Sequence, residues 1–120
     1  MDICFEGVGQ VAATFQVDKE DVDGIQPGMA VTLTKNGTVG LGAVDHAPCG
    51  VVLGGVRGGA AAVQIGGAAK VNCSSKGLEV GWKELVCDGD GGVKTATGPD
   101  GLKFLVLAVD ENENTAVIRL

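Results

Sequence analysis

Tyrosine is absent from this sequence, and its aromatic side chains are Phe5, Phe15, Phe104 and Trp82 alone. A core built without them is filled by Val, Ala and Leu, each of which buries little area. Further burial between copies would add to the stability of such a domain, so a homo-oligomer is expected.

Long apolar runs are also missing. No stretch approaches the roughly 20 continuous apolar residues of a membrane-spanning helix. The opening Met1-Asp2-Ile3-Cys4-Phe5-Glu6 has neither the basic start nor the apolar centre of a secretory signal. The protein is therefore expected to stay in the compartment where it is made. There Cys4, Cys49, Cys73 and Cys87 are expected as reduced thiols, serving as small buried hydrophobes.

Positive charge is scarce and dispersed. The 9 basic residues stand singly against 15 acidic ones, for a formal net charge of −6. Binding to nucleic acid needs clustered Lys and Arg that displace phosphate counterions. Docking to an anionic membrane needs a similar cluster. The composition excludes both as direct partners.

Helical periodicity is the last absence. Apolar residues never recur at i, i+3, i+4 and i+7 without Gly or Pro interrupting, and one short turn around residues 18–22 is all that this pattern allows. In its place stands strand periodicity punctuated by glycine, which occupies 21 of the 120 positions. Val31-Thr32-Leu33-Thr34 alternates and is β-branched, Lys35-Asn36-Gly37 is a hairpin turn, and Thr38-Val39-Gly40-Leu41 returns. Gly50-Val51-Val52-Leu53 reads as a short buried run. A glycine-rich turn at residues 54–59 leads to Ala62-Val63-Gln64-Ile65. Glu84-Leu85-Val86-Cys87 precedes the turn Asp88-Gly89-Asp90-Gly91-Gly92. Residues 104–109 and 115–120 form a terminal hairpin across residues 110–114.

A faint internal duplication runs through this pattern. Leu78-Glu79-Val80-Gly81 repeats the lead-in Ile25-Gln26-Pro27-Gly28. Val106-Leu107-Ala108 lies over Val51-Val52-Leu53, and Ile118-Arg119-Leu120 over Val63-Gln64-Ile65. The expectation is one all-β domain spanning residues 1–120. It is a small closed barrel or sandwich of short antiparallel strands with tight Gly-rich turns, built from two similar meanders.

Five segments invite a functional reading. Gly7-Val8-Gly9-Gln10-Val11-Ala12 fits the dinucleotide pattern G-x-G-x-x-A, but Ala13-Thr14-Phe15-Gln16-Val17 is rich in β-branched residues where a helix is needed to meet the pyrophosphate. No cofactor is expected. Asp45-His46-Ala47-Pro48-Cys49 holds the acid, base and thiol of a hydrolase, against the plainer reading of a turn between strands. The cysteines contain no C-x-x-C pair, and His46-x-x-Cys49 supplies only two ligands, so no metal is expected. The acidic clusters Asp18, Glu20, Asp21, Asp23 and Asp110, Glu111, Glu113 lack the order of a calcium loop and read as solvated loops. The arm Asp2, Ile3, Cys4 and Phe5 (within residues 1–10) is either a first strand or an extended segment that adds to a partner's sheet edge. Trp82 reads first as a core side chain and otherwise as an interface anchor.

Taken together the pattern resembles the small decoration, or cement, proteins of tailed-phage capsids. Three features carry the likeness over residues 25–120. Pro27-Gly28 leads into Ala30-Val31-Thr32-Leu33. Ala47-Pro48-Cys49-Gly50-Val51-Val52-Leu53 resembles that family's Gly-Val-Ala step. Residues 62–71 are similar to its V-x-x-x-G-x-x-x-V strand pair, and Gly81-Trp82-Lys83-Glu84-Leu85-Val86 repeats the theme. The resemblance implies a non-enzymatic structural protein, made in the bacterial host cytoplasm and carried on the virion. As a homo-oligomer, a trimer, it would bind the major capsid protein on the outer surface and clamp the coat lattice. The competing readings are a ligand-binding or hydrolytic β-barrel using residues 45–49, and a non-viral structural adaptor. The four cysteines and the low aromatic content depart from the family pattern.

Overall fold

The strand periodicity is realised in full. The structure, a computed structural model, describes residues 8–73, 78–99 and 101–120. These form ten strands: β1 Val11–Val17, β2 Ala30–Lys35, β3 Thr38–Leu41, β4 Gly50–Val52, β5 Ala60–Gly66, β6 Ala68–Asn72, β7 Gly81–Cys87, β8 Val93–Thr95, β9 Leu102–Asp110 and β10 Thr115–Arg119. No helix occurs among the described residues. The expected all-β class is the observed one.

Turn chemistry sets where the strands stop. Asn36 and Gly37 join β2 to β3, with Gly37 at φ 60, and a register shift between Leu33 and Lys35 bends the hairpin. Asp88 closes the β7–β8 turn by accepting the N–H of Asp90 at 2.8 Å and of Gly92 at 3.0 Å. Asp110 does the same between β9 and β10, accepting from Asn112 at 3.0 Å and Glu113 at 3.2 Å. Carboxylates in these clusters thus take up turn N–H groups. Gly28, in the Pro-Gly lead-in, has φ 88 with Asn72 Oδ1 3.3 Å from where a β-carbon would stand. Its counterpart Gly81 has φ 109.

The first five strands close into a barrel in the order β1-β3-β2-β4-β5, and the last five make an open sheet ordered β6-β10-β9-β7-β8. Both units share one pairing scheme. β1 pairs with β5 as β6 with β10, β5 with β4 as β10 with β9, β4 with β2 as β9 with β7, and β2 with β3 as β7 with β8, all antiparallel. The duplication hinted at by the sequence is a duplication of topology. Each unit departs from a plain meander at one step, because its fourth strand returns beside the second and not the third. The units differ in closure. β1 also pairs in parallel with β3 at Gln16↔Thr38 and Val17↔Val39, whereas β6 and β8 stay apart as the two edges of the second sheet.

Two apolar clusters make up the core. One fills the barrel with Val17, Ile25, Val31, Val39, Val52, Ala61 and Val63. The other lies between the open sheet and the barrel wall, and unites Leu85, Phe104, Val106 and Ile118 with Ala30 and Val51. Neighbouring residues of β2 and β4 go to opposite clusters, since successive side chains point to opposite faces. That is why Gly50-Val51-Val52 is apolar without alternation: β4 is buried on both sides.

Candidate functional site

The open sheet turns one face to the barrel and the other to solvent. β7 sends Leu85 and Cys87 into the core. The period of two therefore puts Trp82 and Glu84 on the outer face. Trp82 is 59% exposed, which overturns its reading as a core side chain. Across the sheet Trp82 stands opposite Leu105, and Leu105 opposite Arg119. The Arg119 guanidinium carbon lies 5.2 Å from the indole centroid, an exposed cation–π contact worth about 0.5–1 kcal/mol. Glu84 and Lys103 form the next cross-strand pair, while Leu107 and Val117 are half-buried. The result is an aromatic and aliphatic row with charge of both signs at its border, the composition of an interface centre and rim.

The loop at residues 45–49 is built differently from a catalytic centre. Its backbone is tied to the end of β7: Cys87 N–H donates to the His46 carbonyl at 2.6 Å and Asp45 N–H to the Cys87 carbonyl at 3.0 Å. Cys49 N–H donates to the Val31 carbonyl at 2.8 Å. The Asp45 carboxylate faces Lys94 Nζ at 3.3 Å, so it is engaged by a lysine and not set to orient His46. His46 is exposed and Cys49 half-buried. Burial raises the Cys49 thiol pKa, outweighing the backbone hydrogen bonds that lower it. A nucleophilic cysteine needs the opposite shift. Cys87, deeper in the same neighbourhood, is pushed up to about 12, first by burial and then by the charges of Asp88 and Cys49. Cys73 is raised by burial and by Asp88.

The described residues of the other candidate segments take up strand and loop positions. Val11, where the dinucleotide pattern requires a helix, begins β1; Gly7 lies outside the described residues, as do Asp2, Ile3, Cys4 and Phe5 of the arm. Among the described residues no group of three or more His, Cys, Asp or Glu side chains is placed to hold a metal ion. In the first acidic cluster Asp21 accepts the Leu41 N–H at 3.1 Å and Asp18 faces Lys35 at 3.9 Å. These carboxylates pin the 18–24 loop to the barrel.

A feature that sequence reasoning missed is Gln64. It is 2% exposed at the junction of the two units. Its Nε2 donates to the carbonyls of Gly66 and Ala68, each at 2.9 Å, strapping the corner where the chain leaves the barrel. A cleft of about 280 Å³ opens there, lined by Gln64 with Gln10, Pro27, Lys70, Asn72 and Thr115. A glutamine in an alternating strand carries no signal that it points inward, so only its neighbours' positions could have disclosed it.

No family model, no curated protein and no solved structure matches this chain.

Proposed function

We propose that this chain is a structural protein that works by binding other protein chains, with no catalytic step of its own. The observation that carries the reading is the row of exposed Trp82, half-buried Leu105 and exposed Arg119, on a sheet face that no described strand covers. Trp and Arg are the residues that most often anchor protein interfaces. The engaged carboxylate of Asp45 and the raised thiol pKa of Cys49 weigh against the hydrolase alternative.

Within that class, the likeness of residues 25–120 to phage decoration proteins supports a narrower proposal. The chain assembles as a homo-oligomer, a trimer, on the outer surface of a capsid and stabilises the lattice of the major capsid protein. Its acidic surface and its lack of clustered cations suit a shell exterior better than a nucleic-acid-facing interior. The test is light scattering on the purified protein, followed by co-sedimentation with coat shells and a thermal-disruption assay of those shells. Binding that raises shell stability, and that Trp82→Ala weakens while His46→Ala leaves it intact, supports the proposal. Loss of the effect in His46→Ala alone overturns it in favour of chemistry at the 45–49 loop.

A further inference from the structure

We propose that the cleft beside Gln64 is a carbohydrate-binding site, sized for one pyranose ring. It shares no residue with the Trp82 row or the 45–49 loop.

The corner between the two units builds it. Gln64 comes from β5 and Asn72 from β6, and Thr115 stands opposite Asn72 on β10. Pro27, just ahead of β2, and Leu53, just after β4, bring apolar surface to the same cleft. The Asn72 amide lies over Gly28, where a β-carbon would stand 3.3 Å from its Oδ1.

Gln64 gives the site its direction. The side chain is 2% exposed. Its amide group faces the carbonyls of Gly66 and Ala68, each at 2.9 Å, and two acceptors there require the nitrogen and not the oxygen. Both N–H donors are thereby engaged, and Oε1 receives no hydrogen bond from the described residues. Yet among the described residues no buried side-chain oxygen or nitrogen lacks a partner. Oε1 is therefore not sealed in; it reaches the surface through the cleft that Gln64 lines. An otherwise buried side chain thus holds one fixed acceptor toward whatever enters.

Further polar groups meet it there. Asn72 and Thr115 are half-buried, and neither side chain hydrogen-bonds to a described residue. Gln10 adds an exposed amide. Lys70 brings charge to the described lining, and Glu113 holds its ammonium at 3.3 Å.

This lining selects the ligand. Amides and hydroxyls both donate and accept, as do the hydroxyls around a sugar ring. The Lys70–Glu113 pair offsets its own charge, so neither an anion nor a cation is favoured. No aromatic side chain is in the described lining, which leaves a nucleobase nothing to stack on. Pro27, Val52 and Leu53 offer an apolar surface to the C–H face of a ring. A peptide strand would need free backbone groups along the edge of β6. There Asn72 N–H already donates to the Gly28 carbonyl at 2.9 Å, and Ala68 N–H to the Val8 carbonyl at 2.8 Å. At about 280 Å³ the cleft lies at the small end of ligand pockets, about 300–1,000 Å³, which suits a single ring.

Nuclear magnetic resonance of the isotope-labelled full chain follows the side-chain amides of Gln10, Gln64 and Asn72. The probes are methyl α-glucoside, methyl β-galactoside and N-acetylglucosamine. The expected result is a saturable shift of these amides with at least one sugar, and none at His46. Thr115→Val keeps the shape and removes the hydroxyl, and Asn72→Ala removes the amide. Each should weaken that binding about two- to tenfold, the effect of one neutral hydrogen bond, with circular dichroism confirming the fold. An oligosaccharide that binds more tightly than its single sugar identifies a glycan end as the ligand, and equal affinity identifies the free sugar. No saturable shift with any of the three probes, up to the highest soluble concentration, would overturn the proposal. Unchanged affinity in both folded variants would do so too. So would shifts of the same amides by sodium sulfate or the peptide Gly-Asn-Gly where no sugar moves them.

Discussion

The α-carbon of Gly42 lies directly against the side chain of Cys87. A β-carbon on Gly42 would overlap the Cys87 Sγ and approach its Cβ at 2.6 Å. Gly42 comes just after the end of β3 in the first unit and Cys87 ends β7 in the second, so the two units meet here with no room for a side chain at position 42. Gly42→Ala is expected to destabilise the protein by about 1–3 kcal/mol, the usual cost of forcing extra volume into a packed site. Denaturant unfolding checks it. The double variant Gly42→Ala with Cys87→Ala should recover part of that loss, because the two positions share one space.

Trp82 gives the sharpest contrast between surface and core. Truncating a buried tryptophan typically costs about 3–5 kcal/mol. At 59% exposure, Trp82→Ala should cost under about 1 kcal/mol, chiefly its contact with Arg119. Wild-type Trp82 fluorescence should be readily quenched by acrylamide in the dilute protein. Quenching should fall when a partner covers the outer face of the second sheet.

Gln64→Leu removes the strap at the corner between barrel and sheet while keeping similar volume. It leaves the Gly66 and Ala68 carbonyls without the donor they hold at 2.9 Å, an unmet acceptor costing about 1–3 kcal/mol. The expected outcome is a lowered denaturation midpoint. An unchanged midpoint would mean that the strap contributes nothing to stability.

Cys87 makes stability depend on alkaline pH. Its folded pKa of about 12 stands above the ordinary thiol value of 9.0, because burial penalises the thiolate. The folded state therefore keeps its proton where the unfolded state loses it. This contribution is complete below about pH 9 and is lost as pH rises toward 12. Cys73, raised in the same direction, adds to the slope. Melting temperatures measured upward from pH 9 should fall, and Cys87→Ala should flatten that fall. Alkylation of the native protein near pH 9 should leave Cys87 unmodified until the chain unfolds.

Much of the architecture was legible in the residues. Asn36-Gly37 located the first hairpin, residues 110–114 the last, and the unbroken apolar run Gly50-Val51-Val52-Leu53 marked a short buried segment. Even the doubling of the fold left a trace in Ile25-Gln26-Pro27-Gly28 and Leu78-Glu79-Val80-Gly81. These features are local, because turn geometry and period-two alternation act over a few neighbouring residues. Val93-Lys94-Thr95 escaped notice as β8, since three residues are too few to show a period.

The amino-acid order thus determined that this chain is a glycine-turned β protein of small side chains, acidic and without clustered cations or close metal-binding pairs. Tertiary structure alone decided which side of each strand meets the core. It sent Trp82 outward, Gln64 inward and the Asp45 carboxylate to Lys94. The physical reason is that alternation makes two faces but does not name them. Which face is buried depends on the strand that packs against it, and that strand comes from elsewhere in the chain.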